Sequence, residues 1–310
     1  MEDLLASRWR GQPGRKEVWY TTITDPATGT GVWLHHELVA PTDGATPYAH
    51  GLVGVFPPDG RPVLRHLPRA PWRPDGAVFA SGDVRMTRDR FTGHVDDVSW
   101  DVSWRDGGRP IYTFPPWAWH RELLPAAQVV PAPRALHHGE VRYGDRVVRL
   151  TDAPGATGRI FGHGMARRWS WLHADLGGGD VLEIVAAVAR RRGWRHLPVL
   201  PFVRLRIDGV DWPGGDPLLA ALRFRGVLAL PEWRVRGRHG DRRLSVTVRQ
   251  PADRTLSVPY TDPDGSRCVC HNSERADAEI LLETRAGGGD WRPERRWRLH
   301  GTAHAEVGLR

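Results

Sequence analysis

Val98-Ser-Trp-Asp-Val-Ser-Trp104 alternates apolar and polar residues without a break. Successive side chains of a strand point to opposite faces, so this stretch reads as a half-buried strand, with Val98, Trp100, Val102 and Trp104 on the buried side. Similar segments recur along the chain between Gly, Pro, Asp and Asn punctuation, and long helical periodicity is nearly absent. Val18 to Thr24 and Gly31 to Ala40 flank the turn-rich Asp25-Pro-Ala-Thr-Gly-Thr30. Gly139 to Leu150 turns around Tyr143-Gly-Asp145, and Arg234 to Gln250 through Gly237-Arg-His-Gly-Asp241. Thr255 to Tyr260, Ala278 to Thr284 and Trp291 to Leu299 continue the pattern. Only Asp216-Pro-Leu-Leu-Ala-Ala-Leu222 offers a helix start, with Asp as N-cap and Pro at the first helical position. The expectation is an all-β protein.

At 310 residues the chain can hold one large or two ordinary β domains. Pro115 to Pro133 is proline-rich, contains Trp117, Trp119 and His120, and reads as a crossover. It divides the chain into domains 1–133 and 134–310. No repeat is visible as sequence identity.

A net charge of +8 raises the question of nucleic acid. Lys16 is the only lysine, and the arginines are scattered, with Arg190-Arg191-Arg192 the only run of three. A coding bias toward Arg explains this better than phosphate binding, so no nucleic-acid partner is expected. No stretch reaches the roughly 20 apolar residues of a membrane helix, and no signal peptide is visible at the N-terminus. The expected location is the cytoplasm, with Cys268 and Cys270 as reduced thiols too close on one strand to pair.

Metal is not expected either. Cys268, Cys270 and His271 alternate between faces, no second Cys pair completes a structural site, and His35-His36 and His137-His138 fail on the same geometry. The chain has no Gly-Lys-Ser phosphate loop and no Gly-x-Ser-x-Gly elbow, and no helix follows Gly162-His-Gly164. Chemistry here is therefore expected to be cofactor-independent.

Arg168-Trp-Ser-Trp-Leu-His-Ala-Asp-Leu-Gly-Gly-Gly-Asp180 is the richest segment. As a strand it places Trp169, Trp171, His173 and Asp175 on one face and Ser170, Leu172, Ala174 and Leu176 on the other. The second face is apolar enough to be buried, so the first carries indoles and ionisable groups within a sheet that is covered on both sides. Val181 to Ala189 follows as a central strand interrupted only by Glu183, and antiparallel pairing would bring Glu183 toward the Trp-x-Trp strand. Asp175, before three glycines, suits a turn cap as well as an acid.

Glu17-Val-Trp-Tyr20, a turn, and Gly31-Val-Trp33 resemble the N-terminal Glu-x-Trp-Tyr hairpin of the carotenoid 1,2-hydratase superfamily, which includes tocopherol cyclase-like proteins and lipocalin-like Diels–Alderases. The crossover, then Gly155-x-x-Gly158-x-x-x-Gly162-His163 and Trp169-Ser-Trp171, resemble its central signature, with His163 matching the signature histidine. Where that family continues Asn-Trp-Gly, this chain has Gly164-Met-Ala166. The resemblance implies two lipocalin-like antiparallel β-barrel or sandwich domains packed together, with a ligand in the apolar interior or at their junction. It also implies an apolar, alkene-rich small-molecule substrate, isoprenoid or polyene, and no obligate protein partner, with room for transient contact with a membrane surface.

Protonating an alkene needs a carboxylic acid kept neutral by burial, which raises its pKa by up to about 3–5 units. It also needs aromatic faces that stabilise a cation. Glu183 and Asp175 are the candidate acids, assisted by His163 and His173, with Trp169 and Trp171 as pocket walls. On the strand after Tyr260-Thr-Asp-Pro-Asp-Gly265, Cys270, Asn272 and Glu274 share a face, and Tyr260, Asn272 and Glu274 are candidate substrate-binding groups. Three functions fit these residues: a cyclase or hydratase, a non-catalytic lipid carrier, or a pericyclase working by shape and a few hydrogen bonds.

Overall fold

The computed structural model describes residues 3–73, 76–105, 107–122, 124–188 and 198–310. The Arg190–Arg192 run lies outside them. The chain forms two compact units, one from Met1–Tyr112, Pro116–Met165 and Tyr260–Arg267, the other from Thr113–Pro115, Ala166–Pro259 and Cys268–Arg310.

The alternating segments become strands. The first unit runs β1 (Arg15–Thr24), β2 (Gly31–Ala40), β3 (Tyr48–Phe56), β4 (Val63–Pro71), β5 (Phe79–Ser81), β6 (Val84–Met86), β7 (Arg90–Val95) and β8 (Val98–Arg105). After β9 (Ile111–Tyr112) and the short helix α1 (Pro116–Arg121) come the long strands β10 (Ala126–Tyr143) and β11 (Arg146–Gly162). The sheet order is β4-β3-β2-β1-β11-β10-β8-β7-β6-β5, with β9 beside β10.

The second sheet starts with β12 (Arg168–Gly177), β13 (Asp180–Val188), β14 (Leu200–Ile207) and β15 (Val210–Trp212). Helix α2 (Pro217–Ala221) follows, with the Asp216 side chain accepting from the Leu218 and Leu219 N–H groups. Then come β16 (Phe224–Val227), β17 (Glu232–His239), β18 (Arg242–Arg249), β19 (Leu256–Thr261), β20 (Arg267–Thr284) and β21 (Arg292–Leu309). Their order is β15-β14-β13-β12-β21-β20-β18-β17-β16, with β19 beside β20. This is the first sheet's order one strand shorter, so the two units repeat a topology that sequence identity does not reveal. No described helix is long and apolar enough to cross a membrane.

One reading from the sequence changes. Residues 133 and 134, the boundary read from the sequence, lie inside β10, because Ala126–Pro133 is strand rather than crossover. Proline cannot donate to a ladder, and Pro131 and Pro133 sit where the β10–β11 register slips, between Val129, Ala132 and Ala135. The Gly155–Gly162 stretch forms the end of β11. A Cβ at Gly158 would lie 2.1 Å from the Tyr20 ring, and one at Gly155 2.0 Å from the Thr22 carbonyl, so these glycines make room for close cross-strand neighbours.

Each unit has its own core. In the first, Trp19, Ile23, Leu34, Val53, Phe79 and Trp100 pack together. In the second, the core takes Leu172 and Ala174 from β12, Leu182 and Ile184 from β13, and Ala303, Ala305 and Val307 from β21. Burying a Leu or Ile side chain stabilises by about 1.5–3 kcal/mol. This core face positions the other, chemically richer face of the same strands.

The first unit's core also holds an ion pair. Arg159, wholly buried, bonds Glu17 and the carbonyls of Leu4, Leu5 and Ala6, and its guanidinium lies 4.3 Å from the Trp19 ring. Glu17 in turn accepts from Ser7 Oγ and the Arg8 N–H, each at 2.8 Å, which fastens the N-terminal segment to the sheet. Burial lowers Arg159 to about 10, which leaves it cationic at neutral pH. Removing one member of such a pair leaves a buried charge uncompensated. Glu17→Ala is therefore expected to lower unfolding free energy by about 3–5 kcal/mol in urea titrations, and a loss below about 1 kcal/mol, the usual value for an exposed pair, would contradict this account.

Candidate active site

In β12, Trp169, Trp171 and His173 occupy the face turned away from the aliphatic core, which belongs to Leu172 and Ala174. The apolar interior of the unit is therefore not the surface these indoles line. The second face is nonetheless covered: Trp169 is 4% exposed, Trp171 5%, and His173 and Glu183 0%. Polar groups there are withdrawn from water, which makes an unpaired charge costly.

Four neighbouring strands bring the groups together. β12 and β13 pair antiparallel with His173 opposite Glu183, and β21 places His304 opposite His173 from the other side. The Trp171 indole N–H donates to Glu183 Oε1 at 2.6 Å, and His173 Nδ1 lies 3.0 Å from Glu183 Oε2. With Glu183 as the acceptor of this bond, the hydrogen lies on Nδ1 of His173. Its Nε2 is buried, with no hydrogen-bond partner among the described residues. The His173 ring stacks on His304 with centroids 5.9 Å apart.

His304 completes a second histidine–carboxyl pair, with Nδ1 2.6 Å from Glu274 Oε2. Glu274 and His304 follow directly on the pair Ser273–Ala305, the last before the β20–β21 register shifts. Burial pulls His304 down to about 3, and the neighbouring His173 adds to the effect. Burial also pushes Glu274 well above the usual carboxylate range, against the opposing influence of the Asn272 amide and His173. Both shifts favour the same state, a neutral imidazole accepting from a protonated Glu274. Asn272 is itself wholly buried beside them on β20.

The structure distributes the remaining candidates differently. Trp169 donates to Glu306 Oε1 at 2.7 Å, and Cys270 Sγ lies 3.2 Å from Glu306 Oε2. Asp175 stands half-buried at the end of β12, where Oδ1 accepts the Gly177 N–H at 2.8 Å, the turn cap. His163 and Tyr260 are residues of the first unit. His163 is exposed, with Nδ1 3.1 Å from Arg15 Nη1. Tyr260 stacks on His35 at 5.3 Å under the Lys16 ammonium, which sits 4.8 Å from its ring and 3.0 Å from Glu37 Oε1. A groove of about 690 Å³ in the first unit, lined by Asp3, Ser7, Val78, Arg88 and Asp89 among others, holds none of the candidate residues.

His304 and Glu306 were missed in the sequence. The signal exists, since Ala303-His-Ala-Glu-Val307 alternates small apolar residues with His and Glu as the Trp-x-Trp strand alternates indoles with aliphatics. It lies beyond Leu299, where the alternation of large residues ends.

Comparison with known proteins adds family and fold. The sequence model described as tocopherol cyclase-like matches residues 77–309. An uncharacterized protein of Mycobacterium tuberculosis (strain ATCC 25618 / H37Rv) is 48% identical over 305 residues, covering 98% of this chain and 89% of that one. Kievitone hydratase from Nectria haematococca has a similar fold, with a TM-score of 0.58 at 8% identity over 100% of this chain and 92% of its own. An AttH-like protein of Nitrosomonas europaea gives a TM-score of 0.57 at 12% identity, covering 95% and 92%.

The depressed pKa of His304 makes a stability prediction. The unfolded histidine protonates near its ordinary value of 6.5 while the folded one stays neutral to about 3. Between those values the unfolded state binds the extra proton, so this group's contribution to stability falls as pH falls. Melting temperatures measured from pH 7 toward pH 4 should drop more steeply for the wild type than for His304→Gln, by the equivalent of a few kcal/mol. Parallel curves would contradict the buried neutral imidazole.

Proposed function

The chain belongs to the tocopherol cyclase-like family, and we propose that it is a cofactor-independent cyclase or hydratase acting on an apolar isoprenoid or polyene. The reaction begins with proton transfer to a carbon–carbon double bond. The observation that carries this reading is the buried Glu274–His304 pair, in which burial raises the carboxyl and lowers the imidazole, beside His173, whose Nε2 has no hydrogen-bond partner among the described residues. The family's name and the hydratase of similar fold agree with this class of chemistry.

Glu274 is the acid. Its O–H bond breaks as a C–H bond forms at one alkene carbon, and the electron pair left behind makes Glu274 a carboxylate beside His304. The positive charge falls on the other alkene carbon. Trp171, whose indole N–H is tied to Glu183, offers a ring face worth about 0.5–2 kcal/mol to a nearby cation. Water, or a hydroxyl of the substrate, then adds to that carbon and its O–H proton is released. His173 Nε2 takes the proton released, while Glu183 holds the imidazolium through Nδ1–H. Return of that proton to Glu274 by way of His304 restores the starting state. The carboxyl identified in this way is Glu274, read from the sequence as a binding group, rather than Glu183 or Asp175.

The cluster is closed to solvent in this structure, which protects a cation from bulk water and requires an opening motion for substrate entry. The test uses heavy water. Wild-type protein incubated with isoprenoid alkenes in D2O should place one deuterium on a former alkene carbon, read by mass spectrometry. Glu274→Gln, which keeps shape and a donor toward His304, should lower the rate by about 10²–10⁴-fold, and Asp175→Asn should leave it nearly unchanged. Full turnover by Glu274→Gln would overturn the proposal.

A further inference from the structure

The arginines scattered along the sequence are not scattered in space. On β17, Arg234, Arg236 and Arg238 alternate with buried Trp233 and Val235 and are all exposed. The register continues the pattern across the sheet. Arg225 of β16 lies opposite Arg236, which lies opposite Ser245 of β18, then Leu281 of β20 and Arg296 of β21. The adjacent row runs Val227, Arg234, Thr247, Glu279 and Arg298. With strands about 4.8 Å apart, these cations cover one face of the second unit's sheet. Glu232 pairs with Arg234 and Arg249, and Glu283 with Arg243. Arg236, Arg238 and Arg298 form no ion pair among the described residues.

The same face has an apolar rim. Leu219 is 66% exposed, Leu222 54%, Val227 67% and Leu230 37%. Val227 stands in the arginine row itself, and Arg225 bonds the Leu222 carbonyl at 3.0 Å, so rim and cations adjoin. Exposed large aliphatics grouped at one end of a small sheet mark a surface that meets an apolar phase.

We propose that this face, from β16 to β21 with its leucine rim on α2 and β16, docks the protein on an anionic phospholipid bilayer. Arginines over headgroup phosphates contribute electrostatic attraction, and the leucines enter the boundary with the acyl chains. Nucleic acid would satisfy the arginines but would leave Leu219, Leu222 and Val227 against water, so the bilayer fits both halves of the surface. The inference is independent of the proton chemistry above.

The test is cosedimentation of the full chain with vesicles of phosphatidylcholine alone or mixed with phosphatidylglycerol. Wild type should bind only the mixed vesicles and release at high salt. Replacing Arg236, Arg238 and Arg298 together with Gln should weaken partitioning by about hundredfold. Replacing Leu219 and Leu222 with Ser should weaken it by about tenfold while leaving the salt dependence intact. All these residues are exposed, and thermal melts confirm folding; for a variant that does not fold, wild-type salt release stands in its place. Absence of binding to the mixed vesicles, equal binding to phosphatidylcholine alone, or indifference to the leucine changes together with equally tight binding of duplex DNA would overturn it.

Discussion

Strands buried on both faces impose the condition on which the rest of this structure depends. One face of β12 and its neighbours supplies an ordinary aliphatic core. The other carries His173, Glu183, Glu274 and His304 in surroundings as dry as that core. A charge withdrawn from water is costly unless it is paired, so these groups settle into bonded pairs, and burial shifts Glu274 and His304 toward their neutral forms. Proton-donating chemistry on an alkene needs an acid that stays protonated at neutral pH, and desolvation is the means by which a carboxyl is kept so.

The repeated topology supplies an internal control. Glu37 on β2 of the first unit is as deeply buried as Glu274, and burial alone would raise it. Lys16, 3.0 Å away, together with His50 and His35, instead holds its carboxyl well below the usual range. Glu274 has a neutral imidazole where Glu37 has an ammonium, and its carboxyl moves the opposite way. Two sheets of the same strand order thus each bury a carboxyl and shift it in opposite directions, decided by the nearest cation.

Much of this was legible in the sequence. Period-two alternation gave the strands, Asp216-Pro217 the short helix, and Trp169 to His173 a face that combines indoles with titratable groups. The pairing of Glu183 with that strand followed from adjacency in the chain. What escaped was long-range. Proline content masked β10, because bulges that accommodate Pro131 and Pro133 leave no local trace. The Glu274–His304 pair joins residues 30 apart across two long strands, and alternation cannot say which distant strand lies beside β12. Whether Asp175 acts as cap or acid was open until its oxygen was found on the Gly177 N–H. The arginine face was hidden for the same reason, since its rows run across strands rather than along them.

The protonation state of Glu274 is the most direct measure of this account. An infrared difference spectrum between wild type and Glu274→Gln at neutral pH isolates that one side chain. A carbonyl stretch of a buried, protonated carboxylic acid, shifting on exchange into D2O, is the predicted result. Symmetric and antisymmetric carboxylate bands in its place would show that Glu274 has no proton to give, and would contradict the account.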